Sequence, residues 1–287
     1  MKPQFWQREA GEEGREVFRC GLCFHGCRLP AGTMGYCGAR GADETGFISP
    51  YLGRFTSGAV DPIEKKPLYH WRPGSLILSL GSLGCTMRCP FCQNHSIAQP
   101  RGRVPLTGLP ARDLRARVLD LKLSAVAYTY NEPTLQAEYI LEAAPLLREA
   151  GVATVMVTNG LFSMSLLESL IPWLAAANVD VKTFSPDVYA DMGGSLEVVK
   201  TNVTRLVQAG VHIELTTLVV PGLSDNQDEF AALVDWIAGL SPKIPFHISR
   251  YFPAHNYAAP PTDLKLLRRF QDMAEARLAH VHLGNVR

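Results

Sequence analysis

From about residue 75 onward, short apolar runs alternate with longer segments whose apolar residues recur at helical spacing. The strand candidates are 76–81 (LILSLG), 125–131 (AVAYTYN), 154–159 (TVMVTN), 178–183 (NVDVKT), 212–220 (HIELTTLVV), 245–251 (PFHISRY) and a short final one at 280–285 (HVHLGN). Between them, 110–122, 134–150, 164–177, 195–210, 225–240 and 262–279 read as amphipathic helices. Ser224 followed by Gln227 predicts a capping box, Pro133 suits a first helical turn, and Gly151 and Gly210 mark helix ends.

Six repeated strand–helix units predict an α/β fold with a parallel sheet and right-handed crossovers. A doubly wound open sheet and a full or partial α/β barrel both satisfy that pattern, and either one places its site at the C-terminal ends of the strands. The first 70 residues carry no such alternation. The pattern therefore divides the chain into a small Cys-rich module with an extended connection, 1–74, and a β/α body, 75–287, with DPIEKKP at 61–67 as the joint.

Composition narrows the classes. With 47% hydrophobic and 19% charged residues in 287, the chain is too apolar for disorder. A formal net charge of +1 argues against nucleic-acid binding through a basic field. No apolar run approaches the roughly 18 residues of a membrane span, so no membrane association is expected. The N-terminal MKPQFWQREAGEEGRE lacks the apolar centre of a secretory signal, which makes the cytoplasm the expected compartment. There, clustered cysteines usually bind metal or do redox chemistry.

The seven cysteines fall in two groups: Cys20, Cys23, Cys27 and Cys37, then Cys85, Cys89 and Cys92. Four thiolates can close a metal site, for zinc or an iron–sulfur cluster; three leave a position open for chemistry. The three-cysteine group follows the first strand, and it reads as an iron–sulfur site, as a zinc site completed by His95, or as plain buried thiols.

GCTMRCPFCQN, with Phe91 before its last cysteine, resembles the signature loop of the radical S-adenosylmethionine (SAM) superfamily. That resemblance implies a partial (β/α)6 barrel of radical SAM type and a 4Fe-4S cluster on Cys85, Cys89 and Cys92, with SAM chelating the open iron. It also implies one-electron cleavage of SAM to a 5′-deoxyadenosyl radical that abstracts hydrogen from a substrate, with Phe91 near the adenine. TYNEPTLQ lies where pyruvate formate-lyase activating enzymes have Gly-Gly-Glu-Pro; Glu132 and Pro133 are kept, while Tyr130 and Asn131 replace the glycines. By the same likeness, Glu132 accepts a hydrogen bond from SAM's amino group, and Thr158, Asp180, Lys182 and His247 lie near SAM. Val157 stands where that family has an acid of its cation site. From the residues alone, Glu132 also reads as a helix-start acid, Asp180 with Lys182 as a structural ion pair, and RYFPAHNY as a solvated or substrate-facing loop.

Over nearly the whole chain, CGLCFHGC, GTMGYCGAR, DPIEKKPLYH, GCTMRCPFCQN, TYNEPT and the late Gly284-Asn285 together resemble the radical SAM enzyme of the AmmeMemoRadiSam system. Phe24 departs from the usual proline, and no cysteine pair follows Asn285. The implied partners are an electron donor of flavodoxin or ferredoxin type and Memo-type proteins. Three readings follow: a radical SAM enzyme with an unidentified substrate, a glycyl radical enzyme activase, and a non-catalytic iron–sulfur or zinc protein.

Overall fold

The computed structural model describes residues 2–11, 16–100 and 102–286. Its N-terminal part is built of short antiparallel pieces. β1 (Trp6–Ala10), β2 (Glu16–Cys20) and β3 (Arg28–Pro30) form one sheet, and β4 (Thr33–Met34), β5 (Gly41–Asp43) and β6 (Gly46–Ile48) form another. β7 (Arg54–Phe55) pairs with β10 (Thr107–Gly108) in a small ribbon.

The main sheet has eight strands in the order β16-β15-β14-β13-β12-β11-β9-β8. β8 (Ser57–Pro62) runs antiparallel to β9 (Leu76–Gly81). The others, β11 (Ala125–Thr129), β12 (Ala153–Thr158), β13 (Leu174–Asp180), β14 (His212–Val219), β15 (Phe246–Arg250) and β16 (Val281–Gly284), are parallel and sequential. The helices are α1 (His95–Ala98), α2 (Ala111–Asp120), α3 (Ala137–Glu149), α4 (Met164–Leu170), α5 (Pro186–Asp191), α6 (Leu196–Gln208), α7 (Gln227–Leu240) and α8 (Leu264–Glu275).

Strand alternation decides between the two architectures. Leu78, Leu80, Val126, Met156, Ala177, Val179, Leu215 and Ile248 join the large core beneath the helices. Their neighbours Ile77, Ala125, Ala127, Val155 and Ala176 form a separate small core with Ile63 and Leu68. Helices thus cover one face, and the other is filled by the strap 62–71, as in a partial barrel rather than a doubly wound sheet. The strap is pinned to the sheet by polar bonds: Asn178 Nδ2 donates to Pro67 O (2.9 Å), and the Tyr69 and His70 amides donate to Glu214 (2.9 and 2.8 Å).

Several expected boundaries move. The helix expected over 164–177 ends at Leu170; Pro172 halts it, and Leu174–Ala177 join β13, where pairing on both sides overrides the helix propensity of the alanines. α5 was not expected, although Ser185 caps it and Pro186 opens it. The capping box at Ser224 does not form. Asn226 caps α7, and the Ser224 hydroxyl instead donates to Leu218 O. β8 lies in the connection that precedes residue 75, and it pairs into the main sheet; the division into 1–74 and 75–287 stays a proposal.

Candidate active site

Cys85, Cys89 and Cys92 occupy the loop after β9, at the C-terminal end of the strands. Cys85 Sγ accepts from the Met87 amide (3.4 Å) and from Asn159 Nδ2 (3.7 Å), the environment of a thiolate. Burial pushes all three thiols up, Cys89 to about 11, and the Lys182 ammonium opposes this at Cys89 and Cys92. A positive centre shared by the sulfurs would reverse that penalty. The donor set thus fits an iron–sulfur cluster. It does not fit zinc with His95, whose ring stacks on His255 at 4.4 Å. Among the described residues, no three or more of His, Cys, Asp and Glu are gathered at the spacing of a single ion.

Glu132 is 1% exposed. It is the N-cap of the turn 133–136: Oε1 accepts from the Thr134 amide (3.1 Å), the Thr134 hydroxyl (2.9 Å) and Thr158 Oγ1 (2.9 Å). Oε2 accepts from the Asn159 amide (3.0 Å) and keeps room for one more donor. Burial raises this carboxyl, and those donors only partly offset it. Thr158 is therefore spent on Glu132. Sequence reasoning missed Asn159, which holds both Glu132 and Cys85 although it directly follows Thr158.

The residues in place of the family's glycines are latches. Tyr130 keeps a left-handed backbone, φ 72°, without being glycine. Its hydroxyl donates to Asp61 Oδ2 (2.7 Å), its ring lies under the Lys66 ammonium (4.4 Å), and its carbonyl accepts from Asn94 (2.7 Å). Asn131 takes the Ser82 amide (2.9 Å) and donates to Gly84 O (2.8 Å), clamping the backbone at two of the three residues before Cys85. DPIEKKP at the joint thus supplies the Asp61–Lys66 pair (2.9 Å) on which Tyr130 rests.

Asp180 and Lys182 pair at 2.8 Å at the end of β13, Lys182 lying just past the strand. Burial would lower the ammonium, but Asp180, with Cys89 beside it, outweighs this and holds it charged. Phe91 is buried in the core under the loop. His247 is not brought to this group. Its Nε2 lies 2.7 Å from Glu214 Oε2, and its ring packs on Tyr69, facing the strap. At the end of β15 and just past it, Arg250 Nε and the Tyr251 amide are tied to Thr262.

The sequence profile of the radical SAM superfamily matches residues 80–237. The chain belongs to the radical SAM superfamily. An uncharacterised protein of Methanocaldococcus jannaschii is 32% identical over 93% of this chain and 81% of its own length. The pyruvate formate-lyase-activating enzyme of Clostridium pasteurianum is 24% identical over 55% of this chain and 67% of its own. A radical SAM methyltransferase structure from Sphaerobacter thermophilus shares the fold, with a TM-score of 0.57 at 14% identity over 96% of this chain and 75% of that one. The protein is a radical SAM enzyme related to pyruvate formate-lyase activating enzymes, a superfamily whose membership implies a 4Fe-4S cluster and SAM. Among the described residues, no helix is long and apolar enough to cross a membrane.

Proposed function

We propose that Cys85, Cys89 and Cys92 hold the 4Fe-4S cluster and that the protein cleaves SAM reductively there to abstract hydrogen from an as yet unidentified substrate. The observation that carries this is the convergence of one buried and two half-buried cysteines, Glu132 with a spare acceptor position and the Asp180–Lys182 pair on one strand-end mouth. When bound, the cluster and SAM supply one-electron cleavage to a 5′-deoxyadenosyl radical. The chain's own part is to hold and screen them. Asn159 and the Met87 amide stabilise the Cys85 thiolate, Lys182 offsets negative charge at Cys89 and Cys92, and Glu132 accepts from SAM's amino group. Phe91, buried beneath the loop, would lie near SAM's adenine by the family resemblance, and Thr158 would act through Glu132, to which its hydroxyl donates. His247 enters this reading only through the family resemblance, since its imidazole is committed to Glu214.

The module's Cys20, Cys23, Cys27 and Cys37 all line one enclosed cavity together with Arg40. Burial pushes the thiols of Cys20, Cys23 and Cys37 up, and Arg40 Nε is buried without a partner. Four thiols are the donor set of a zinc tetrathiolate or a second cluster, although they are not gathered here at the spacing of a single ion.

Kinship with the AmmeMemoRadiSam enzyme, and with it Memo-type partners, rests on the motifs that span the module and the barrel. The activase reading is favoured by the named activating enzymes; those matches cover little more than half of this chain.

Anaerobic reconstitution of the full chain with iron and sulfide tests the ligand assignment. The wild type and Cys23→Ala are expected to show this cluster by absorbance and electron paramagnetic resonance, and Cys89→Ala to lose it. A normal cluster in Cys89→Ala would overturn the assignment. With Cys85, Cys89 and Cys92 all replaced by alanine, metal analysis of the full chain reports zinc or iron at the module alone.

A further inference from the structure

The Cys-rich module is seated on the three-cysteine loop. His25 Nε2 bonds Thr86 O (2.9 Å), Arg88 donates to Tyr36 O (2.7 Å), and the Ser163 amide donates to Leu22 O (3.1 Å). Gly84, one residue before Cys85, lies so close to the Cys37 carbonyl that a Cβ there would sit 2.5 Å from its oxygen. The two cysteine groups are therefore in backbone contact.

At that junction opens a cavity of about 900 Å³. Cys37 and Gly38 line it from the module, Arg88 from the loop between Cys85 and Cys89, Arg54 from β7 and Arg103 from the segment leading into β10. Among the described residues, its lining holds three arginines and no carboxylate. All three guanidinium-bearing residues are exposed. Arg54 and Arg103 form no ion pair among the described residues, while Arg88 is steadied over the Tyr36 ring at 4.7 Å. The arginines come from three separate chain segments and sit at a rim. A site for one small phosphate would instead gather buried donors around one point. Spread cations suit the spread carboxylates of a protein surface.

We infer that this arginine rim is the docking surface for an acidic one-electron carrier protein of flavodoxin or ferredoxin type, which delivers its electron at the Cys37–Cys85 junction. The inference rests on the radical SAM reading and deepens it. The transfer is a simple exchange: the reduced carrier loses one electron, the cluster at Cys85, Cys89 and Cys92 gains it, and no bond or proton moves. The arginine field steers encounter and fixes orientation, so charge reversal acts on the rate of association and on its salt dependence.

The test uses the reconstituted full chain, wild type and Arg54→Glu/Arg103→Glu. It follows cluster reduction by stopped-flow absorbance and electron paramagnetic resonance, driven by dithionite or by an acidic flavodoxin or ferredoxin, each reduced beforehand. At least one carrier is expected to reduce the wild type at a rate that falls as salt rises, and the double variant to be slower by about tenfold or more. Dithionite is expected to reduce both proteins alike, and Arg54→Lys/Arg103→Lys to restore most of the carrier rate. Carrier rates that are equal in the two proteins, or insensitive to salt, beside a normal dithionite signal, overturn the docking proposal alone. So does inorganic phosphate that binds saturably and leaves carrier reduction untouched. A wild type that dithionite cannot reduce overturns the radical SAM reading and this inference with it.

Discussion

Tyr130 holds a backbone conformation that costs a non-glycine residue about 1–3 kcal/mol, at a position where related enzymes carry glycine. The strain persists because the side chain is fixed elsewhere, by the Asp61 carboxylate and the Lys66 ammonium. Burial would raise Asp61, but Lys66 and the Tyr130 hydroxyl outweigh it and hold the carboxyl well below its usual range. Tyr130→Phe is expected to cost about 1–3 kcal/mol in denaturant unfolding, because a partly buried carboxylate loses a donor. An unchanged midpoint would show that the hydroxyl does not brace the turn. Glu132→Gln is expected to weaken SAM binding about tenfold or more, measured by calorimetry on the reconstituted protein, with its iron content unchanged. Equal affinity would leave Glu132 as a helix cap only.

Between elements, the module is tied to the barrel by a buried pair. Arg40 Nη1 meets Glu138 of α3 at 2.8 Å with both side chains 1% exposed, and the Gln4 amide donates to the same carboxylate at 2.7 Å. Removing one partner strands the other charge, so Glu138→Ala is expected to cost about 3–5 kcal/mol. Hydrogen exchange should then show residues 16–48 losing protection before β11–β14; uniform loss would contradict a local tie. None of this was legible in the sequence, because the two residues lie 98 positions apart and no local pattern links them. Strands β9, β14 and β15 were legible, since their apolar runs are bounded by turn residues. The reach of α4 was not, because Leu174–Ala177 have a helix former's composition and become strand only by pairing.

Across the whole molecule, the concave face of the sheet is polar at both ends and apolar only in the middle. At the strap end lie His70, His212, His247, His280 and His282 around Glu214. Burial alone would raise Glu214, but bonds from His212, His247 and the Tyr69 and His70 amides hold it far below the usual carboxylate range. Its stabilisation is therefore present above the unfolded value of about 4.3 and lost as pH falls through the lower folded value. Burial and the neighbouring imidazoles lower His70 and His282, so their contribution begins to fade earlier, as pH falls below about 6.5. A melting temperature that declines in two stages toward acid is expected. Glu214→Gln should flatten the lower stage, and a profile unchanged by that substitution would contradict the assignment. The chemistry-bearing end was largely readable from the spacing of Cys85, Cys89 and Cys92. The histidine end was not, because its members come from three strands, the residue before β16 and the strap, and of them the sequence singled out only His247, for a different role.

The central claim is that the three-cysteine mouth cleaves SAM. The most direct measurement is chromatography of anaerobic mixtures of reconstituted protein, dithionite and SAM. The wild type is predicted to release 5′-deoxyadenosine and Cys89→Ala to release none. Wild-type protein with a spectroscopically intact cluster and no 5′-deoxyadenosine would contradict it.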